Sequence, residues 1–255
     1  MLADGRFPAG GHAHSGGLEA AVVAGRVSDP GTLEAFLRGR VATSGAMAAA
    51  FAAAACAAFG RPPEAESEPE TGTGTDSGPE TGTGTDSGPE TGTGTEAGGQ
   101  DRISALDAEL EARTPAPALR ATSRKLGRQL LRTARAIRPH PGLDALAAAL
   151  PGGPHQPVAL GAAARALGLG PHAAAAAALH DAATGPATAA VRLLGLDPFA
   201  VHAVLARLAP DLDRLATAAT GRADAPAAEL PAYGAPSLDI SAELHATWEV
   251  RLFAS

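Results

Sequence analysis

Apolar residues recur at three- and four-residue steps through most of this 255-residue chain, the spacing that gathers them on one side of a helix. The first clear run opens at Asp29-Pro30, a capping residue followed by proline at the first helical position. Leu33, Phe36, Leu37, Val41, Ser44, Met47 and Phe51 then share a face. The pattern fades into an alanine run, and Gly60-Arg61-Pro62-Pro63 ends the helix. A second long helix is predicted over 118–137, with Leu119, Leu126, Leu130, Ala134 and Ile137 inward and Pro139 and Pro141 as its stop. Shorter helices follow over 142–150, 158–167, 171–183 and 187–194. Asp197-Pro198 repeats the cap-then-proline signal before a buried stripe of Phe199, His202, Leu205, Leu208, Leu212 and Leu215. No segment sustains a period-two alternation of β-branched residues. The pattern therefore predicts an all-α bundle of about eight to ten helices, a single domain over residues 1–255.

One stretch breaks that pattern. Residues 62–100 are of low complexity: a decapeptide of Glu, Thr, Gly, Asp, Ser and Pro at 70–79 recurs unchanged at 80–89 and decays in a third copy. It has nothing to bury against the entropy of ordering itself, so a disordered loop is expected. Solenoid repeats are longer and carry an apolar face. Ten acids and one base lie between Arg61 and Asp101, so the net charge of −7 is a −9 segment on a +2 remainder. Whole-chain electrostatics thus says little about a partner. Replacing 64–99 with a short Gly/Ser linker should leave the melting temperature nearly unchanged, because loop closure depends weakly on length. A large drop would show that the segment packs.

Composition narrows the chemistry. Aromatics are 3% of the chain, so Leu, Val and Ala must close the core. A single cysteine, Cys56, excludes an intramolecular disulfide or a zinc–thiolate cluster and fits a reducing compartment. Residues 41–60 form a twenty-residue stretch without a charge, long enough to cross a bilayer. Its alanine, threonine and serine content favours a helix buried all round over a membrane span. The start, Met1 to Arg6, lacks the basic and apolar regions of a secretory signal.

Candidate catalytic groups do not assemble. The one lysine, Lys125, follows Arg124 rather than glycine, which excludes a phosphate-binding P-loop, and no other cofactor motif is present. Ser15 beside His14 has no strained nucleophile elbow, and Cys56 sits in the alanine helix without a base. Asp107, Glu109 and Glu111 are expected to be solvated. His12 and His14, one residue apart, are weak metal candidates because no third ligand is fixed by the spacing. His172, His180 and His202 read as packed histidines. No acid lies between Thr114 and Leu143, and Arg120, Arg124, Arg128 and Arg132 step by four along one helical stripe. That stripe serves either an acidic partner or nucleic acid, or faces acids on neighbouring helices. Tyr233, Trp248 and Phe253 crowd the last 23 residues, as interface anchors or as part of a docked final helix.

Three segments together resemble the urease accessory protein UreF family. The first is Phe7-Pro8-Ala9-Gly10-Gly11-His12-Ala13-His14-Ser15-Gly16-Gly17-Leu18-Glu19, similar to that family's opening signature. The second runs from Ser123 to Leu131 around Gly127. The third is Pro236-Ser237-Leu238-Asp239-Ile240 through His245 and Trp248 to Arg251-Leu252-Phe253-Ala254-Ser255. His12 stands where the family carries an aromatic residue, so it is not carried over as a family ligand. Residues 189–208 lack the Pro-Leu-Gly-Gln run common in the family.

The resemblance implies a cytoplasmic, all-α, non-enzymatic assembly protein without a cofactor. It would dimerise, bind the accessory protein UreD (UreH) and recruit the GTPase UreG to deliver nickel to apo-urease. Its partner-binding surface is expected at the two matching ends: Phe7, Pro8, Gly10, His14, Ser15, Gly17, Leu18 and Glu19 with Asp239, His245, Trp248, Arg251, Leu252, Phe253 and Ser255. No membrane or nucleic-acid partner follows from it. The alternative function is an all-α nucleic-acid-binding regulator that uses the basic helix 118–138. Ser15 is expected to cap the helix carrying Leu18, and removing 246–255 to abolish recruitment while the bundle stays folded.

Overall fold

A computed structural model describes residues 14–59, 94–249 and 252–253, with 94–98 and 100 described through their backbone. The described residues form helices and no strand: α1 (Leu18–Val23), α2 (Pro30–Arg40), α3 (Ala46–Ala58), α4 (Gly94–Ala112), α5 (Pro117–Ile137), α6 (Pro141–Ala149), α7 (Gln156–Ala166), α8 (Pro171–Leu194), α9 (Pro198–Thr220) and α10 (Pro236–Ala246). A π-helical turn, Val41–Gly45, joins α2 to α3. The Asp29 carboxylate accepts from the amides of Gly31 and Thr32, closing the predicted cap.

The long apolar run Pro30–Ala58 has the length and composition of a membrane span, but it is the core of the bundle. Helix α3 packs on α4, α7, α8 and α9, and Ala49, Ala50, Phe51 and the alanines up to Ala55 are fully enclosed. Alanine lets the axes approach closely. At the α3–α7 crossing only Gly161 fits: a Cβ there would lie 2.3 Å from the Ala52 carbonyl and 2.7 Å from the Cys56 amide. Burial pushes the Cys56 thiol up to about 11, away from reactivity.

Several expectations change. The helices predicted at 171–183 and 187–194 are one, α8, with Pro186 inside it. A proline leaves the carbonyl four residues earlier without its helical donor. That carbonyl is Ala182, and the Arg40 Nε donates to it at 3.1 Å, so an arginine from another helix fills the gap. The inward stripe of α9 is Val201, Val204 and Leu208, while Phe199 is 85% exposed. His172, His180 and His202 are exposed rather than packed, and Ile137 is exposed at the last turn of α5. His172, His202 and Ile137 each lie within two turns of a helix end. Helix α4 begins at Gly94, so 94–100, read from sequence as loop, belongs to a helix; a loop replacement should therefore stop at 93. The remainder of the repeat lies outside the described residues.

Candidate functional site

The opening motif and the chain's end meet. Gly16 and Gly17 both take positive φ, 59° and 87°, a conformation strained for other residues, and turn the chain into α1. The N-cap is Gly17 rather than Ser15. The Ser15 hydroxyl still reaches forward to accept from the Glu19 amide at 3.4 Å. Leu18 is fully buried and Glu19 is 6% exposed.

A buried carboxylate needs donors, and Glu19 takes them from the far end of the chain. Its Oε2 lies 2.9 Å from His245 Nε2. The Leu252 amide donates to Oε1 at 2.9 Å and the Phe253 amide to Oε2 at 3.1 Å. Burial alone raises the Glu19 carboxyl; the Leu252 amide, the His245 ring and the Phe253 amide together outweigh it and hold the group below the ordinary range. Around this clamp Phe253 is buried, Trp248 sits with its ring centroid 4.7 Å from that of His245, and the Arg26 guanidinium donates to the Ser241 hydroxyl at 2.9 Å. The α10 side chains Ile240 and Leu244, one turn apart, point to solvent, as does Leu252.

Of the residues expected at a partner surface, His14, Ser15, Gly17, Leu18, Glu19, Asp239, His245, Trp248, Leu252 and Phe253 fall within the described residues. Ser15, Leu18, Glu19, His245 and Phe253, expected at that surface, are instead buried. Phe7, Pro8, Gly10, His12, Arg251 and Ser255 lie outside the described residues. His14 is half-buried on the wall of a cavity below the clamp. Asp239 shares that wall, and burial raises its carboxyl. Among the described residues no three His, Cys, Asp or Glu side chains gather as a metal site.

The sequence reading missed Arg40. It donates from Nη1 to the Gly16 carbonyl at 2.8 Å and from Nε to Ala182, tying the opening motif to α8. Burial lowers its guanidinium to about 10. The signal was present: Arg40 stands on the apolar stripe of α2, three residues beyond Leu37 and four before Ser44.

The basic stripe is not a free surface. Asp107, expected to be solvated, is buried at 3% exposed, whereas the Glu111 side chain remains 40% exposed while it pairs with its neighbours. Arg124 pairs with Asp107 at 3.0 Å and Glu111 at 2.7 Å, and Arg120 with Glu111 at 2.9 Å. Arg128 donates to the Gly152 carbonyl, and Arg132 is exposed. Four-residue spacing aligned the arginines, but α4 supplies the acids that reach them. Two of the four stripe residues are thereby withdrawn from any phosphate backbone, which weakens the nucleic-acid alternative.

Buried His155 completes this network. Its amide donates to Asp107 at 2.7 Å and its Nε2 meets Glu111 at 2.8 Å. Nδ1 is buried with no hydrogen-bond partner among the described residues. Burial lowers the imidazole below its ordinary 6.5, partly offset by Asp107 and Glu111. A depressed value means that the folded form binds fewer protons, so this contribution to stability is complete above 6.5 and is lost as pH falls through the folded value. His155→Gln is therefore expected to flatten the fall in melting temperature as pH drops below 6.5. An unchanged slope would place the titration elsewhere.

Comparison with known proteins shows the family. A sequence model described as UreF matches residues 27–209. The chain is 40% identical over 255 residues to the urease accessory protein UreF of Mycolicibacterium vanbaalenii, covering 100% of this chain and 96% of that protein. It is 40% identical to the protein of the same name from Mycobacterium sp. (strain JLS), with the same coverage. Against the urease accessory protein UreF of Mycobacterium tuberculosis H37Rv it is 34% identical over 244 residues, 96% of this chain and 91% of that one. The two 40% matches take in both terminal motifs as well as the helical core, and the chain belongs to the UreF family of urease accessory proteins, which assist the enzyme and are not themselves catalysts.

Proposed function

We propose that this chain is the scaffold of a urease-maturation complex: it binds UreD (UreH), recruits the GTPase UreG, and so helps to deliver nickel into apo-urease in the cytoplasm, acting as a homodimer. The observation that carries the reading is the Glu19 clamp, which fastens the backbone at Leu252 and Phe253 to the opening motif. Two segments more than two hundred residues apart become one surface. Buried groups set its shape, and Tyr233, Ile240, Leu244 and Leu252 give it exposed apolar anchors. Apolar anchors held on a rigid base are what partner recruitment requires. A scaffold of this kind contributes proximity: contacts that are weak singly become a committed assembly when one chain holds both partners. Nucleotide chemistry then belongs to UreG and calls for no P-loop here.

Co-expression with UreD and UreG, followed by size exclusion with light scattering, tests the reading. A complex containing paired copies of this chain is the expected result. A lone monomer that binds neither protein would reject it.

A further inference from the structure

Under the clamp lies a cavity of about 220 Å³, room for roughly seven waters at their liquid volume. Met47, Leu119, Leu126, Pro157 and Leu238 give it largely apolar walls. Arg40 stands in one of them. Two of its N–H groups are used, on Ala182 and Gly16. Among the described residues no carboxylate pairs with Arg40, and burial is what perturbs its guanidinium. Arg40 is half-buried, so its guanidinium is partly desolvated without a counter-charge among the described residues. Its two terminal nitrogens still offer N–H groups side by side, the fork that matches a carboxylate. On the wall provided by α10, Asp239 is the one acid among the described lining residues, and the other lining guanidinium, Arg113, is already engaged by Glu109 and the carbonyls of Leu230, Ala227 and Ala228.

We propose that this cavity binds a small monocarboxylate with an apolar body. The head group pairs with the outer edge of Arg40, and the hydrocarbon lies against Met47, Leu119, Leu126 and Leu238. Asp239 selects against a second negative charge, so a dicarboxylate of equal length is refused. Because Arg40 also holds Gly16, an occupied cavity stiffens the base on which the two chain ends join. The site concerns a ligand for the scaffold itself and stands apart from the identity of its protein partners.

The test is calorimetric titration of the full chain with hexanoate, hexan-1-ol and adipate. Hexanoate should bind saturably at one site per chain, with the alcohol and the dicarboxylate weaker by about tenfold or more, as loss of a charge-assisted fork or a like-charge clash demands. Arg40→Met should weaken hexanoate by a similar factor. Since Arg40 also supports two carbonyls, a second variant leaves it in place: Leu119→Trp fills the cavity and should abolish binding, with circular dichroism showing the helical fold retained. Asp239→Asn should admit adipate. Equal binding of alcohol and carboxylate, an unchanged titration in the folded Leu119→Trp protein, or no saturable binding would each overturn the proposal.

Discussion

Glu19→Ala is expected to lower the stability of the folded chain by about 3–5 kcal/mol, because several buried donors lose one charged acceptor, each such loss costing about 1–3 kcal/mol. The reason is local. Glu19 accepts from His245, Leu252 and Phe253, and alanine leaves the two amides in a buried site without this acceptor and takes one partner from the His245 ring. The three losses are shared by one group and do not simply add. For a chain of this size the melting temperature should fall by roughly 6–15 °C. Limited proteolysis should then cut after α10 in the variant and not in the parent. Glu19→Gln keeps the shape and one acceptor oxygen, so it should fall between the two. A shift under about 2 °C, with the tail still protected, would contradict the clamp.

The second large effect lies in the core. Gly161→Ala introduces a Cβ 2.3 Å from the Ala52 carbonyl and 2.7 Å from the Cys56 amide, both backbone atoms of α3. Backbone cannot rotate away as a side chain can, so α3 and α7 must separate along their crossing. Overpacking of this kind costs about 1–3 kcal/mol or more. Because α3 also packs on α4, α8 and α9, the separation propagates through the bundle. The expected result is a melting temperature lower by roughly 5–10 °C, measured by circular dichroism. Gly39, whose Cβ position is open, provides the control: Gly39→Ala should be neutral or slightly stabilising. Equal behaviour of the two variants would refute the close-packed crossing.

These two sites differ in how far the sequence revealed them. The helical class followed from periodicity, and the caps at Asp29 and Asp197 were readable because a capping carboxylate next to proline is a local signal. Glu19 was legible as part of a family motif. Its chemistry was not, since its donors come from Leu252 and Phe253 at the other end of the chain. The basic stripe illustrates the same limit. Spacing set Arg120 and Arg124 on one face, but only the tertiary fold brought Glu111 and Asp107 of α4 within reach of them. Pro186 misled for a further reason: a proline predicts a break unless something else serves the orphaned carbonyl, and here Arg40 does so from α2. Local pattern carried the elements, whereas the site depended on contacts between residues remote in sequence.

The central claim is that the joined ends form a surface for partners, and Leu252 allows it to be tested apart from stability. Its side chain is 74% exposed, although its amide is part of the clamp. Leu252→Asp changes the surface while leaving the backbone hydrogen bond in place. Co-expression of this variant with UreD and UreG, read by size exclusion with light scattering, is the most direct measurement. The account predicts a parent-like melting temperature with the complex lost or greatly weakened. A complex of parent mass and yield, formed by the folded variant, would contradict it.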